Sequence, residues 1–321
     1  MTRTPDVTTV GEALVAFVAE QPGGWAAGAS FGAHVVGAEL NLATALARLG
    51  HETAYIGVVG DDDPGRLVET HLGAEDIYAR HVRRVADKGT GLLVRDRRVF
   101  GPAEVTYRRK ESAGSTLCAA DIEAAAETIA ASRWVHLTGV TPALSLSCHE
   151  AFEAALDTAR AAGVPVSLDI NYRSKLWSEQ EARACLQPLA RRCSTIFGDD
   201  MELQLATGRE DFRAAIDALL AAGVGQVVRK LGADGAETFG TDDRVDRVAG
   251  HRVTVIDPVG AGDAFAGGYL SALLDGGSSI EALQRGVTCG AYAVSAVGDT
   301  TALPDRRRVD AAELDRWPTW R

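Results

Sequence analysis

Asp257-Pro258-Val259-Gly260-Ala261-Gly262-Asp263-Ala264-Phe265 is the stretch that decides the reading of this chain. The β-rich run 251–256 before it predicts a strand over 253–256, and the apolar pattern 264–274 after it predicts a helix. Small residues at 260–262 let the backbone turn tightly and approach a ligand. Their N–H groups then sit at a helix N-terminus, where an anion is stabilised. Asp263 puts a carboxylate inside that anion site, where it repels a bound phosphate. Chemistry accounts for it better than binding does: a hydroxyl that loses its proton beside a phosphoryl group needs a base there. The helix N-terminus is expected to lower the basicity of Asp263. A plain N-cap on a tight turn is the alternative without chemistry. A dinucleotide fingerprint fits poorly, because the final glycine is missing and the motif lies near the C-terminus.

The 321 residues are 46% hydrophobic and 24% charged, enough for a sizeable core. A net charge of -11 argues against nucleic acid as the partner, while a local arginine cluster can still recruit a small anion. Cys118, Cys148, Cys185, Cys193 and Cys289 form no Cys-x-x-Cys pair, so a reduced, cytoplasmic protein without structural zinc is expected. The first ten residues lack a signal-peptide pattern, and no apolar run reaches the ~18 residues of a membrane span. The seven histidines are scattered without metal-ligand spacing. Ser112 and Ser115 have no nucleophile elbow around them. Trp317 and Trp320 are read as packing residues.

Outward from the loop, strand-like and helix-like segments alternate. Strands are predicted over 7–10, 54–59, 134–137, 164–170, 195–197 and 226–231. Helices are predicted over 40–49, 64–72, 122–132, 145–162, 179–192 and 212–222. This predicts an α/β domain with a mostly parallel sheet and helices on both faces. The segments 13–36 and 77–109 lack helical period and suit extra strands outside the main sheet. The organisation expected is a single α/β domain over 1–321 with a discontinuous β lid from about 13–36 and 77–109. Ligands bind beyond the carboxyl ends of such strands. Asn171 and Arg173, Asp199 and Glu202, Gly232 and Gly235, and Gly260 to Asp263 follow four predicted strands at that edge.

The loop resembles the C-terminal motif of the ribokinase-like (PfkB) carbohydrate kinase family. Gly37-Ala38-Glu39-Leu40-Asn41-Leu42-Ala43 resembles its N-terminal motif, with Val36 in place of the first glycine. Lys230-Leu231-Gly232-Ala233-Asp234-Gly235 is similar to its nucleotide-side loop. The likeness runs from about Gly11 to Pro304. Three further segments resemble the 2-keto-3-deoxygluconate kinase subgroup: 107–115, 137–144 and Asp169-Ile170-Asn171-Tyr172-Arg173-Ser174-Lys175-Leu176-Trp177. Two arginines, Arg109 and Arg173, have a physical reason in that subgroup, since a guanidinium fork holds a carboxylate by two charge-assisted hydrogen bonds. A surface ion pair is the alternative for each.

The resemblance implies a three-layer α/β/α ribokinase-like fold with a small β-sheet lid, and an ATP-dependent kinase of 2-keto-3-deoxygluconate. It implies substrate contacts at Gly37, Tyr107, Arg109, Asn171, Arg173, Asp263 and Asp299. The nucleotide side falls to Asp199, Lys230, Gly232, Gly235, Gly260, Ala261 and Gly262, with Asp263 as base and Gly260, Ala261 and Gly262 as the anion hole. Glu202 is implied to reach magnesium through water, and Asp257 to ligate a monovalent cation, with a potassium requirement open. A homo-oligomer is expected. Asp199 stands where the family motif usually has Asn, which adds negative charge near a triphosphate. Leu93 and Val287 stand where polar or aromatic contacts are expected. The alternatives are another kinase of the family (for fructose, ribose or another sugar acid), a non-catalytic sugar-acid sensor, or a nucleotide-dependent oxidoreductase.

Overall fold

Ile196 and Phe197 are neighbours on one strand, both fully buried, and they enter different cores. Val227 and Val228 on the next strand do the same. Strands sealed on both faces need helices on both sides of the sheet. A computed structural model describes residues 4–23, 27–97, 104–242 and 244–313. Trp317 and Trp320 lie outside the described residues.

The strands are β1 (Val7–Val10), β2 (Leu14–Ala19), β3 (Phe31–Val36), β4 (Thr53–Gly60), β5 (Val82–Val85), β6 (Gly91–Arg95), β7 (Val105–Arg108), β8 (Trp134–Thr138), β9 (Val166–Asp169), β10 (Thr195–Gly198), β11 (Gln226–Lys230), β12 (Ala236–Gly240) and β13 (Val245–Val248). The helices are α1 (Ala38–Arg48), α2 (Asp63–Ala74), α3 (Ala119–Ala124), α4 (Ala126–Ala131), α5 (Leu146–Ala161), α6 (Glu179–Ala190), α7 (Asp200–Thr207), α8 (Phe212–Ala221), α9 (Ala261–Leu274), α10 (Ser279–Ala293) and α11 (Arg306–Glu313).

Nine strands form one sheet in the order β13-β12-β11-β10-β9-β8-β1-β4-β5. It is parallel except for β12 and β13, which pair antiparallel at one edge. The larger core joins Val10, Ile56, Leu137, Leu168 and Ile196 to Ile122, Phe152, Leu186 and Ile216 of the helices on one face. On the other face Phe197 and Val228 meet Leu42 and Leu46 of α1, Phe265 and Tyr269 of α9, and Leu283 of α10. A Cβ on Gly267 would lie 2.8 Å from that of Ala45, and one on Gly268 2.7 Å from the carbonyl oxygen of Arg285. Those two glycines let the middle of α9 press between α1 and α10.

A smaller sheet has the order β3-β2-β6-β7. It takes strands from both irregular segments, with one correction. β5, inside 77–109, pairs in parallel with β4 at the edge of the large sheet. The helix α2 between them makes this an ordinary parallel crossover, which returns the chain to the same sheet.

Three further readings need correction. The expected strand over 253–256 is absent: 249–255 has no regular structure, and Val253, Val255 and Ile256 are exposed. Its β-branched residues have no neighbouring strand to pair with, and the N–H groups of Ile256 and Asp257 go instead to the carbonyl oxygen of Val294. The single helix expected over 122–132 is two, α3 and α4, divided at Ala125. β12, β13, α7, α10 and α11 were not foreseen; their apolar patterns are short or interrupted by charge.

Candidate active site

Helix α9 begins without a side-chain cap, at Gly260 in the left-handed region with φ 82°. A Cβ there would strike the backbone of Asp299 at 2.7 Å, so the turn requires glycine. The first intrahelical bond runs from the N–H of Ala264 to the carbonyl oxygen of Gly260. The N–H groups of Ala261, Gly262 and Asp263 find no partner among the described residues. They form an anion-binding end on a helix of 14 residues.

Asp263 is buried in the first turn of that helix. Asn41 Nδ2 donates to its Oδ2 at 2.8 Å, and Asn171 Nδ2 to its Oδ1 at 3.3 Å. Asn171 carries its backbone in the left-handed region, φ 41°, a conformation Asn tolerates better than most residues. Burial pushes the Asp263 carboxyl up to about 7, against the opposing pull of Asn41 and Arg173, with Asp169 and Asp299 adding to the rise. This corrects the expectation of lowered basicity. Removing a carboxylate from water outweighs the helix terminus.

Asp263 opens into a cavity of about 160 Å³ also lined by Gly37, Tyr107, Arg109, Arg173 and Asp299. Asn171 reaches this cavity through Asp263 only. Gly37 starts α1 at φ 152°, and a Cβ there would lie 2.5 Å from the carbonyl oxygen of Glu12. Leu93 lines the same cavity as an apolar side chain. Its three arginines are in different electrical states. Arg109 is buried and gives Nε to Glu12 Oε2 at 2.8 Å, while Ser112 donates to the other oxygen of Glu12. Arg109 and Lys175 flank the ring of Tyr107, at 5.6 and 5.8 Å from its centroid. Arg95, not singled out from sequence, gives Nη2 to Asp257 at 2.6 Å and lies 3.4 Å from Asp299. Arg173 is exposed; its guanidinium makes no hydrogen bond or salt bridge among the described residues and acts on the Asp263 carboxyl through space.

A second cavity, about 810 Å³, lies across the same loop. Lys230, Gly232, Gly235, Ala261, Gly262 and Val287 line it, with Val253 and Val255. The 260–263 loop is therefore the wall between the two: Gly260 and Asp263 face the first, Ala261 and Gly262 the second. Lys230 at the end of β11 pairs with Asp169 at the end of β9, at 2.8 Å, and stands 3.6 Å from Glu202. These carboxylates hold the Lys230 ammonium above its ordinary range against burial. Glu202 accepts the N–H groups of Tyr172 and Asp199, and Asp199 caps α7 through the N–H of Glu202. Burial, then Glu202, raise the Asp199 carboxyl. Asp199 lines neither cavity. No cluster of three metal-ligating side chains exists among the described residues.

Glu12, Asn41, Arg95 and Asp169 were missed as site residues. Asn41 stands inside the quoted 37–43 motif, and Asp169 opens the quoted 169–177 segment. Nothing local marks Glu12 or Arg95.

The family profile described as pfkB family carbohydrate kinase matches residues 4–306. The 2-dehydro-3-deoxygluconokinase of Bacillus subtilis (strain 168) is 36% identical over 313 residues, 95% of this chain and 94% of that protein. Among solved structures, a PfkB protein from Polaromonas sp. JS666 has a TM-score of 0.85 and 37% identity, over 96% of this chain and 99% of that one. A double mutant of Vibrio cholerae O395 fructokinase, solved with fructose, ADP and a potassium ion, has a TM-score of 0.83 and 28% identity, over 97% and 99%.

Proposed function

The chain belongs to the pfkB family of carbohydrate kinases, and from that premise we propose that it transfers the γ-phosphoryl group of ATP to the 6-hydroxyl of 2-keto-3-deoxygluconate. The observation that carries this reading is one cavity holding both the buried Asp263 carboxyl and an arginine, Arg173, whose guanidinium forms no salt bridge among the described residues. A guanidinium without a salt bridge in a substrate cavity suits a carboxylate, because it binds in bidentate fashion and has no bonded protein carboxylate to release first. Arg109 is already neutralised by Glu12, so it orients the Tyr107 wall and offers its remaining N–H groups.

The sugar acid lies in the smaller cavity with its acid end at Arg173 and its terminal hydroxyl at Asp263. ATP lies in the larger one, its base against the apolar 253–255 strip and Val287, its phosphates at the start of α9. Asp263, with its carboxyl near pH 7, accepts the hydroxyl proton. The N–H groups of Gly260, Ala261 and Gly262 stabilise charge on the transferring oxygens. Proton loss is late in such a loose transition state, so position matters more than strength of the base. Magnesium would arrive with the triphosphate and neutralise part of its charge. Glu202 and Asp199 fit contact through water: the oxygens of Glu202 already accept N–H groups, and Asp199 keeps one oxygen uncommitted. The small sheet acts as a lid over the sugar within a single domain.

A coupled ADP-release assay with ATP and magnesium tests the reading across 2-keto-3-deoxygluconate, its galactonate epimer, fructose and ribose. A kcat/KM at least ~10-fold higher for the keto acids is expected, since a lost charge-assisted contact weakens binding by about 1.5 kcal/mol or more. Preference for a neutral sugar would overturn it.

A further inference from the structure

Asp257 is the position that the family resemblance assigns to a monovalent cation, and its surroundings in this chain do not fit one. Oδ2 accepts from Arg95 Nη2 at 2.6 Å and from the N–H of Gly298 at 3.1 Å. Oδ1 accepts from the N–H of Val259 at 3.2 Å. Both oxygens thus face donors, and a guanidinium already stands against the carboxylate. An added cation would meet positive charge rather than lone pairs.

The same guanidinium extends Nη1 toward Asp299 Oδ1 at 3.4 Å, and the other oxygen of Asp299 accepts from Asn41 at 3.2 Å. Asn41 in turn donates to Asp263. The backbone of Asp299 is the surface against which Gly260 turns. Arg95 is 3% exposed and comes from β6 of the small sheet, 162 residues away from Asp257. One buried side chain therefore joins the small sheet to both segments, 257–259 and 298–299, that bracket the start of α9.

We propose that Arg95 is a built-in cation, a positioning residue that replaces a bound monovalent cation beside the 260–263 loop and makes phosphoryl transfer independent of potassium. The guanidinium neutralises Asp257, fixes the carboxylate that holds the N–H of Val259, and presses Asp299 against Gly260. A dissociable ion would do the first two tasks; only a side chain also ties them to the strand that covers the sugar. This rests on the kinase reading above, so turnover of the wild-type protein is established first; its absence would overturn that reading and not this one.

The test compares wild type, Arg95→Met and Arg95→Lys in potassium, sodium and tetramethylammonium chloride at equal ionic strength. Wild-type kcat should differ by under ~2-fold among the salts, the residue of ordinary screening. Arg95→Met should lose at least ~10-fold in tetramethylammonium, the scale of a lost preorganised charge contact, and regain part of it in potassium. Arg95→Lys should retain more activity than Arg95→Met in tetramethylammonium. Melting temperature supplies a readout free of turnover: potassium should raise that of Arg95→Met and leave that of wild type unchanged, because a ligand stabilises only the state that binds it. Potassium activation of wild type by ~10-fold or more, or a potassium-induced rise in its melting temperature, would overturn the proposal. If Arg95→Met does not fold, the wild-type salt series still decides the question.

Discussion

Asp263→Asn should cost activity and add stability, and the added stability should depend on pH. The Asp263 carboxyl sits at about 7 in the folded protein against an ordinary aspartate value of 3.8. The folded state therefore holds the proton more tightly than the unfolded chain does. Between those values the native state binds more protons, so stability falls as pH rises. The three-unit gap at 1.36 kcal/mol per unit gives a penalty of about 4 kcal/mol at pH 8, and about 2 kcal/mol at pH 5 where the native group is still protonated. Asn is isosteric, keeps an oxygen for the Asn41 amide and never charges, so the variant escapes the penalty. Its melting temperature should exceed that of wild type by a margin that widens by roughly 4 °C from pH 5 to pH 8, at roughly 2 °C per kcal/mol. The assay is paired thermal denaturation in matched buffers, with kcat measured alongside. Turnover should fall by at least ~100-fold, the weight of a general base. A margin that stays constant with pH, or a variant less stable than wild type at pH 8, would refute the claim that burial raises this carboxyl. Near-normal kcat would refute its role as base.

Asn41→Leu removes the donor that most lowers the Asp263 carboxyl; the acid limb of the kcat/KM profile should move up by about one to two pH units, and an unmoved limb would count against the Asn41–Asp263 contact. Arg173→Ala should raise KM for the sugar acid by ~10-fold or more with a smaller change in kcat, and leave weak turnover of neutral sugars intact; equal loss on both substrates would make Arg173 structural.

Much of the fold was legible because its signals are local. Ile196-Phe197 and Val227-Val228 are adjacent apolar pairs, the mark of strands buried on both faces, and Gly50, Gly163 and Gly223 close their helices in the left-handed region. The expected strand over 253–256 failed for the opposite reason: β-branched composition is local, but a strand exists only where another strand offers a ladder. The small sheet was half legible, since nothing in Val82–Val85 itself tells a lid strand from the edge strand that a crossover creates.

The candidate site divides in the same way. Gly260 to Asp263 and the helix behind them are a contiguous stretch, and the anion-binding end of α9 follows from small residues preceding an apolar run. The electrical state of that site does not follow. Asp263 takes its two amide partners from residues 222 and 92 positions away, Arg109 meets Glu12 97 positions away, and Arg95 meets Asp257 162 positions away. The sequence by itself determined which chemical groups the protein owns and that a loop would present them at a helix N-terminus. Only the tertiary structure decided which arginine faces the cavity without a salt bridge, which are spent on carboxylates, and how far Asp263 is lifted. Backbone preference is a property of neighbours in the chain, whereas desolvation and charge pairing are set by what packs alongside in space.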